Sequence, residues 1–147
     1  ADQLFGTNPC SEIILRPYGF CNLTEVVIRA TDTLEDIRDK IEVATILGTF
    51  QSTLTDFPYL RKIWKKNAEE ERLLGVSLTG IYDSKLFNDP RDSLVGPRLD
   101  ELRELAIEVN NGLANQLGIN CAAAITCVKP SGTVSLPMPS PGIKVML

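Results

Sequence analysis

The order of helix-like and strand-like segments is the feature that most constrains the fold of this chain. Two segments place apolar residues at steps of three and four, and a charged segment between them also has helical character. The predicted helices cover residues 31–52, 59–74 and 98–118. Short apolar runs predict strands at residues 12–15, 25–30, 73–79 and 120–128. Strands separated by helices favour an α/β fold with parallel strands, either as a layer or as a barrel.

Local signals predict how the first and last helices begin and end. A capping box at the start of the first helix can form between Asp32 and Glu35 or between Thr33 and Asp36. Gly118 follows the last helix and suits a left-handed residue at its C-terminus. The predicted apolar face of the first helix consists of Leu34, Ile37, Ile41, Ala44 and Leu47.

Composition excludes several classes of function. The net charge of −4 argues against a protein that binds nucleic acid through an overall positive charge. No apolar run approaches the roughly 20 residues that a membrane-spanning helix needs. The chain has no histidine, which excludes Ser-His-Asp and Cys-His catalysis within it and argues against a zinc site. The first residues show neither an initiator methionine nor a signal-peptide pattern, so we expect a cytoplasmic piece of a longer chain.

The four cysteines are Cys10, Cys21, Cys121 and Cys127, and none of them forms a CxxC pair. We therefore expect reduced thiols that are either buried or reactive. Cys121 and Cys127 are six residues apart on a predicted strand and would share a face, which predicts two buried packing residues. A thiol–disulfide protein that uses Cys10 and Cys21 is an alternative, although the absence of a CxxC pair argues against it. A direct disulfide between these two residues would require their Cα atoms to lie within about 7 Å of each other.

The stretch NPCSEI places Cys10 two residues before Glu12. A nearby carboxylate disfavours the thiolate, so Cys10 is poorly suited to polar nucleophilic catalysis. A thiyl radical needs no thiolate: it abstracts a hydrogen atom while the carboxylate takes a proton and the amide of Asn8 orients the substrate. The turn Arg16–Phe20 would bring Cys21 to the same pocket as a reductant. The alternative for Cys10 is a buried structural cysteine in a turn.

A second motif, KPSGT, covers residues 129–133 at the end of the last predicted strand. Such a turn offers several backbone N–H groups and two hydroxyls, and it binds phosphate when it leads into a helix N-terminus. Lys129 adds a counter-charge, whereas the Gly-Lys-Ser/Thr ending of a Walker loop is absent. The alternative is a plain turn that caps a helix.

Taken together, these motifs resemble the large catalytic chain of the ribonucleotide reductases. NPCSE is similar to that family's radical loop, FCNLTEVV to the segment with a redox cysteine, RLLGVSLTG to a barrel strand, and CVKPSGTVS to the substrate-phosphate loop. The resemblance covers roughly residues 5–136, and its wording is most similar to the monomeric type of the adenosylcobalamin-dependent class. It implies part of a ten-stranded α/β barrel with Cys10 on a central finger loop.

The resemblance also implies roles for individual residues. Cys10 would be the thiyl radical that removes the 3′ hydrogen of the ribose, Glu12 the general base on the 3′-hydroxyl, and Asn8 a hydrogen-bonding partner of the substrate hydroxyls. Cys21 would be one half of the reducing dithiol, with a partner cysteine upstream of this chain. The implied substrate-binding residues are Asn8, Pro9, Cys10, Ser11, Glu12, Pro130, Ser131, Gly132, Thr133 and Val134.

Domain organisation and partners follow from the same resemblance. Residues 1–147 would be a partial catalytic barrel domain, with a radical loop at 6–16, a redox cysteine segment at 20–28 and a phosphate loop at 129–135. The implied cofactor is adenosylcobalamin. The implied partners are a ribonucleotide substrate, an allosteric deoxynucleotide in the full chain and a thioredoxin-type reductant, with no nucleic acid and no membrane. The alternatives are a phosphate-binding α/β module and a reductase of a class with a separate radical-generating subunit.

Overall fold

Short strands and three helices alternate in the computed structural model, which describes residues 4–131. The strands are β1 (Gly6–Thr7), β2 (Ile14–Leu15), β3 (Asn22–Val27) and β4 (Leu74–Thr79). The helices are α1 (Leu34–Gln51), α2 (Lys62–Glu71) and α3 (Val95–Leu117), with a short 3₁₀ turn at Ile81–Asp83. The mixed α/β class predicted from the sequence is confirmed. None of the helices within residues 4–131 is long and apolar enough to cross a membrane.

The main sheet is built on a parallel pair of strands. β3 and β4 run side by side, from Asn22 beside Leu74 to Val27 beside Thr79. The helices α1 and α2 lie between them in sequence, as a parallel connection requires. The predicted parallel pairing is therefore confirmed for these two strands.

A third extended segment lies along the other side of β4. Its single parallel bridge joins Thr126 to Val76, and the Cys127 N–H donates to the Val76 carbonyl at 3.1 Å. The strand predicted over residues 120–128 is thus reduced to one bridge. The physical reason is that this segment follows β4 for only a few residues and most of its side chains stay exposed.

The two faces of this sheet differ in character because side chains alternate along each strand. One face buries Val26, Leu74 and Val76 against α1 and α3, whose contributions include Ile37, Ile41, Ala44, Leu102 and Ala106. The opposite face, called the polar face below, consists of Leu23, Glu25 and Val27 on β3 and Gly75, Ser77 and Thr79 on β4. The helices cover the apolar face, so the polar face is the one left to hold a site.

Helix α1 begins as predicted and buries Ile37, Ile41 and Ala44 of the predicted face, but not its last residue. Thr33 and Asp36 form the capping box: the Asp36 N–H donates to Thr33 Oγ1 at 3.2 Å, and the Thr33 N–H donates to Asp36 Oδ2 at 2.8 Å. Leu47, predicted on the buried face, is 58% exposed, so that assignment was wrong. The helix instead approaches β4 through Gly48, where an added Cβ would lie 3.5 Å from Leu74 Cδ2.

The ends of α2 and α3 also differ from the predicted bounds. Arg72 is left-handed, with φ 43°, and ends α2 before the predicted residue 74. Helix α3 starts at Val95, three residues before Arg98, because Pro97 falls in the first turn, where its missing N–H costs no helical hydrogen bond. Gly118 ends α3 with φ 66°, which confirms the prediction.

Candidate active site

A finger-like loop carries Cys10 at its exposed tip. β1 and β2 pair antiparallel, with Gly6 beside Leu15, and the chain between them forms the finger loop (residues 6–16). Ser11 at the tip is left-handed, with φ 61°, a conformation that is unfavourable for a residue with a side chain. Such strain is concentrated at functional sites, where the surrounding structure holds it in place.

Asn8 closes the base of the finger loop. Its side-chain Oδ1 accepts a hydrogen bond from the Ile13 N–H at 3.1 Å, and its carbonyl accepts one from the Ser11 N–H at 3.0 Å. With Oδ1 engaged in this way, the Nδ2 amino group is the part of the amide that can serve a ligand. Asn8 is therefore suited to donate hydrogen bonds to a hydroxyl rather than to accept them.

Glu12 has a buried carboxylate that receives no hydrogen bond from residues 4–131. Both of its carboxylate oxygens are buried, and neither has a hydrogen-bond partner among the described residues 4–131. Arg16, four residues further along the chain, pairs instead with Glu70 at 3.0 Å and Glu71 at 2.9 Å. An unsatisfied buried carboxylate is costly. A donor from outside these residues, such as a water molecule or a substrate hydroxyl, can satisfy it.

Two half-buried thiols lie within electrostatic reach of Glu12. Burial, followed by the charge of Glu12, raises the pKa of Cys21, while Lys129 acts in the opposite direction. Burial, Glu12 and then Cys21 raise the pKa of Cys127 to about 11, again opposed by Lys129. Both cysteines therefore stay as neutral thiols near neutral pH, able to supply a proton or a hydrogen atom.

Gly75 is the point at which the finger loop, β3 and the third segment meet. A Cβ built on Gly75 would lie 2.4 Å from Leu23 Cδ2, 3.1 Å from Cys127 Sγ and 3.3 Å from Ile13 Cδ1. These three side chains occupy the space that any other residue at position 75 would fill. The missing side chain therefore allows the finger loop and Cys127 to pack directly on the polar face.

The start of the predicted phosphate loop is anchored to the same face. The Lys129 N–H donates to Ser77 Oγ at 3.0 Å, and Ser77 is 1% exposed. This bond brings the chain that leads to Pro130 and Ser131 up to the polar face. Gly132, Thr133 and Val134 lie outside the described residues, so the phosphate loop stays a prediction.

Sequence reasoning recognised only part of this cluster. It identified Glu12 and Cys21, which the structure brings into electrostatic contact. It was wrong about Cys121, which is exposed, and it treated Cys127 as packing, whereas Cys127 faces Glu12 and Cys21. One signal in the sequence could have indicated the role of Cys127. This cysteine lies two residues before Lys129, the first residue of the predicted phosphate loop, and residues at that spacing in an extended segment share a face.

Glu25 is a further polar residue that sequence reasoning missed. It lies on the polar face beside Ser77 in the β3–β4 register, and its Oε1 is buried without a hydrogen-bond partner among residues 4–131. Its charge also contributes to the raised pKa of Cys127. The site therefore contains a second carboxylate besides Glu12.

The pKa of Cys127 predicts its reactivity. In the native full-length protein, we expect iodoacetamide to label Cys121 readily at pH 8 and Cys127 only slowly, since a thiol with a pKa of about 11 is roughly one-thousandth thiolate there. Labelling of Cys127 should rise about tenfold per pH unit until its pKa is approached. Peptide mass spectrometry after timed labelling measures both rates, and the denatured protein is the control. A Cys127 profile centred near pH 8.5 would contradict the assignment.

Curated relatives match most of this chain in sequence, whereas no family model matches it. An adenosylcobalamin-dependent ribonucleoside-triphosphate reductase from Lactobacillus acidophilus is 31% identical over 91% of this chain and 21% of the relative. A protein of the same name from Lactobacillus leichmannii is 29% identical over 88% of this chain and 20% of the relative. The chain thus spans about a fifth of the length of the curated relatives it matches.

A solved structure gives the same relationship at the level of the fold. The crystal structure of a B-12 dependent (class II) ribonucleotide reductase superposes on 93% of this chain with a TM-score of 0.73 and 25% sequence identity. The match covers 22% of the solved chain. The sequence and structure comparisons therefore point to the same kind of protein.

Proposed function

We propose that this chain, whose relatives in sequence and structure are adenosylcobalamin-dependent ribonucleotide reductases, carries the radical-bearing part of the active site of such an enzyme. The activity would be the reduction of ribonucleotides to 2′-deoxyribonucleotides, which supplies DNA precursors. The observation that carries the proposal is the buried carboxylate of Glu12, which has no hydrogen-bond partner within residues 4–131. It lies two residues from the exposed thiol of Cys10 and within electrostatic reach of the thiol of Cys21.

The proposed chemistry divides the work among these groups. The thiyl form of Cys10 removes the 3′ hydrogen of the ribose, and Glu12 accepts the proton of the 3′-hydroxyl. The amide of Asn8 donates to a substrate hydroxyl. The 2′-hydroxyl then leaves as water, and two thiols become a disulfide as they supply two electrons and two protons. Cys21 would be one of these thiols, and its raised pKa keeps its proton available. Cys10 would finally return its hydrogen atom to C3′ and Glu12 its proton to the 3′-hydroxyl, which restores the thiyl radical.

The phosphates of the substrate would bind at the end of the third segment. The hydrogen bond from the Lys129 N–H to Ser77 Oγ supports this proposal, because it ties the start of the loop to the polar face. The proposed phosphate loop is residues 129–135, with Pro130, Ser131, Gly132, Thr133 and Val134 as its contacts. Backbone N–H groups in such a turn bind an anion.

The proposed architecture is part of a ten-stranded α/β barrel. Its support is the parallel pairing of β3 and β4, a parallel third segment, α1 and α3 on one face of the sheet and the finger loop on the other. Residues 1–147 would then form a partial catalytic domain, with the radical loop at 6–16 and the redox cysteine segment at 20–28.

Adenosylcobalamin is the cofactor named for the relatives, and the full-length enzyme would take it. The described residues do not form a site for it by themselves. Their cavities have volumes of about 350 to 610 Å³, the size of a small-ligand pocket, and the chain has no histidine to ligate cobalt. The contribution of this chain would be the reacting thiol, and the corrin would be held by other parts of the protein.

The proposed partners are a ribonucleotide, an allosteric deoxynucleotide that binds elsewhere in the full chain and a thioredoxin-type reductant, in the cytoplasm. The support for a reducing compartment is that all four cysteines are free thiols.

The test is an activity assay on the full-length protein that contains this chain. Ribonucleoside di- and triphosphates are incubated with a dithiol reductant, with and without adenosylcobalamin, and the deoxynucleotide product is separated by chromatography. We expect product that depends on the cofactor. Product formed only with a separate radical-generating protein would move the chain to another class of reductase. Nucleotide binding without product under any condition would favour the phosphate-binding module.

A further inference from the structure

We propose that helix α2, chiefly through Asn67, is the clamp that sets the position of the finger loop relative to Cys21. The inference rests on the proposed function and adds a positioning residue that takes no part in the chemistry. The element that it acts on is the linking turn (residues 16–20), which joins β2 of the finger loop to Cys21 at the start of β3.

The linking turn is strained and needs support from its surroundings. Tyr18 is left-handed, with φ 63°, a conformation that is rare for an aromatic residue. The Gly19 N–H donates to the Arg16 carbonyl at 3.1 Å, and a Cβ on Gly19 would lie only 3.0 Å from that oxygen. Strained conformations of this kind persist when neighbouring contacts over-determine them.

Asn67 supplies the central contact. It is the buried residue of α2, at 5% exposure, and its Nδ2 donates to two carbonyls of the linking turn. The distances are 3.0 Å to the Pro17 oxygen and 3.3 Å to the Tyr18 oxygen. One buried amide therefore satisfies two successive carbonyls at the strained position, which a shorter or negatively charged side chain cannot do.

Charged and aromatic contacts surround this amide on both sides. Arg16, at the start of the turn, forms ion pairs with Glu70 and Glu71 at the end of α2. Trp64 packs edge-on against Tyr18 at 5.6 Å between centroids and tilts against Phe20 at 4.8 Å. The guanidinium of Arg61 lies 4.5 Å above the Tyr18 ring. The turn is thus held along its whole length by one helix.

The consequence for the site follows from connectivity. The finger loop and β3 belong to different sheets, so no strand pairing fixes their separation. The linking turn is the covalent bridge between them. A shift of about 1 Å in the position of a reacting group can lower the rate by two orders of magnitude. A clamp on the linking turn would therefore affect the rate of reaction by setting the distance between the finger loop and Cys21.

The test substitutes Asn67→Asp in the full-length enzyme, which keeps the size of the side chain and removes both N–H donors. We expect kcat to fall about 10- to 100-fold with KM changed by less than about threefold, because positioning rather than substrate binding is lost. The matched control is Asn115→Asp on the exposed face of α3, which should leave both parameters unchanged. An unchanged kcat in Asn67→Asp would overturn the proposal.

A second readout is independent of turnover. Asn67→Asp should speed iodoacetamide labelling of Cys21 about tenfold or more while Cys127 keeps its slow rate, since only the linking turn is loosened. Equal acceleration of both cysteines would indicate general unfolding and overturn a specific clamp. Wild-type protein that labels as expected but makes no deoxynucleotide would instead refute the proposed function alone.

A milder variant covers the case in which Asn67→Asp does not fold. Arg61→Gln removes the cation above the exposed Tyr18 ring and leaves the buried amide in place. It should lower kcat about two- to fivefold and speed Cys21 labelling in the same direction, as expected for the loss of one cation–π contact. No change in either measurement would count against the clamp.

Discussion

Replacing Cys10 with serine in the full-length protein is expected to lower ribonucleotide reduction by at least about 10³-fold, the scale of effect seen when a covalently acting group is removed. Serine preserves the size of the side chain, but its hydroxyl does not form the radical that a thiol forms. Cys10 is exposed at the tip of the finger loop, so the change removes no core packing. The measurement is deoxynucleotide formed per enzyme under saturating substrate and reductant.

The matched control is Cys121→Ser, since Cys121 is also an exposed free thiol but belongs to the segment after α3 and not to the finger loop. Its turnover should stay within about twofold of the wild type, as is usual for exposed positions. Both variants should keep the circular dichroism spectrum and thermal midpoint of the wild type. Turnover that survives in Cys10→Ser would remove Cys10 from the radical step and with it the central part of the proposed mechanism.

Substituting Gly75→Ala is expected to destabilise the full-length protein by about 1 to 3 kcal/mol, the usual cost of overpacking a filled site. The new methyl group would overlap Leu23 Cδ2 and would also lie 3.1 Å from Cys127 Sγ and 3.3 Å from Ile13 Cδ1, so movement of Leu23 alone would not relieve the crowding. Displacement of Ile13 would also shift the finger loop, so turnover should fall together with stability.

The comparison variant for this prediction is Gly112→Ala in α3. An added Cβ at Gly112 meets nothing within 4 Å, and the position is exposed within a long helix. Here the alanine should stabilise by roughly 0.5 to 1 kcal/mol, since glycine is the poorer helix former. Chemical denaturation of both variants measures the two free energies of unfolding. Equal effects of the same sign would show that Gly75 is not a close-packed contact.

Several elements of the fold follow from patterns that span only a few residues. The capping box of Thr33 with Asp36 and the left-handed Gly118 depend on neighbours within one helical turn. Gly118 was predicted correctly, and the capping box that forms is one of the two that the sequence offered. Leu47 was not, because its orientation depends on how closely α1 approaches β4 at Gly48. Periodicity indicates that a helix has an apolar face, but the partner element determines which part of that face is buried.

In the candidate site, too, some features can be recognised in the sequence and others only in the tertiary structure. The unusual neighbourhood of a thiol and a carboxylate in NPCSEI is visible in the sequence and points to chemistry that does not need a thiolate. That Glu12 finds no donor in the described part of the chain, and that Cys127 lies beside Glu12 and Cys21, are not visible there. They depend on the placement of the third segment beside β4, which brings together residues more than a hundred positions apart.

By itself, the sequence determined the mixed α/β class and the signals that begin and end single helices, and it pointed to Cys10 and Glu12 as a candidate reactive pair. The tertiary structure decided which face of the sheet is polar, that Cys127 belongs to that face, and that Asn67 of α2 holds the turn before Cys21. The physical reason is that hydrogen bonding and periodicity along the chain are local. Which groups stay unsatisfied, or meet over a glycine such as Gly75, depends on contacts between distant segments.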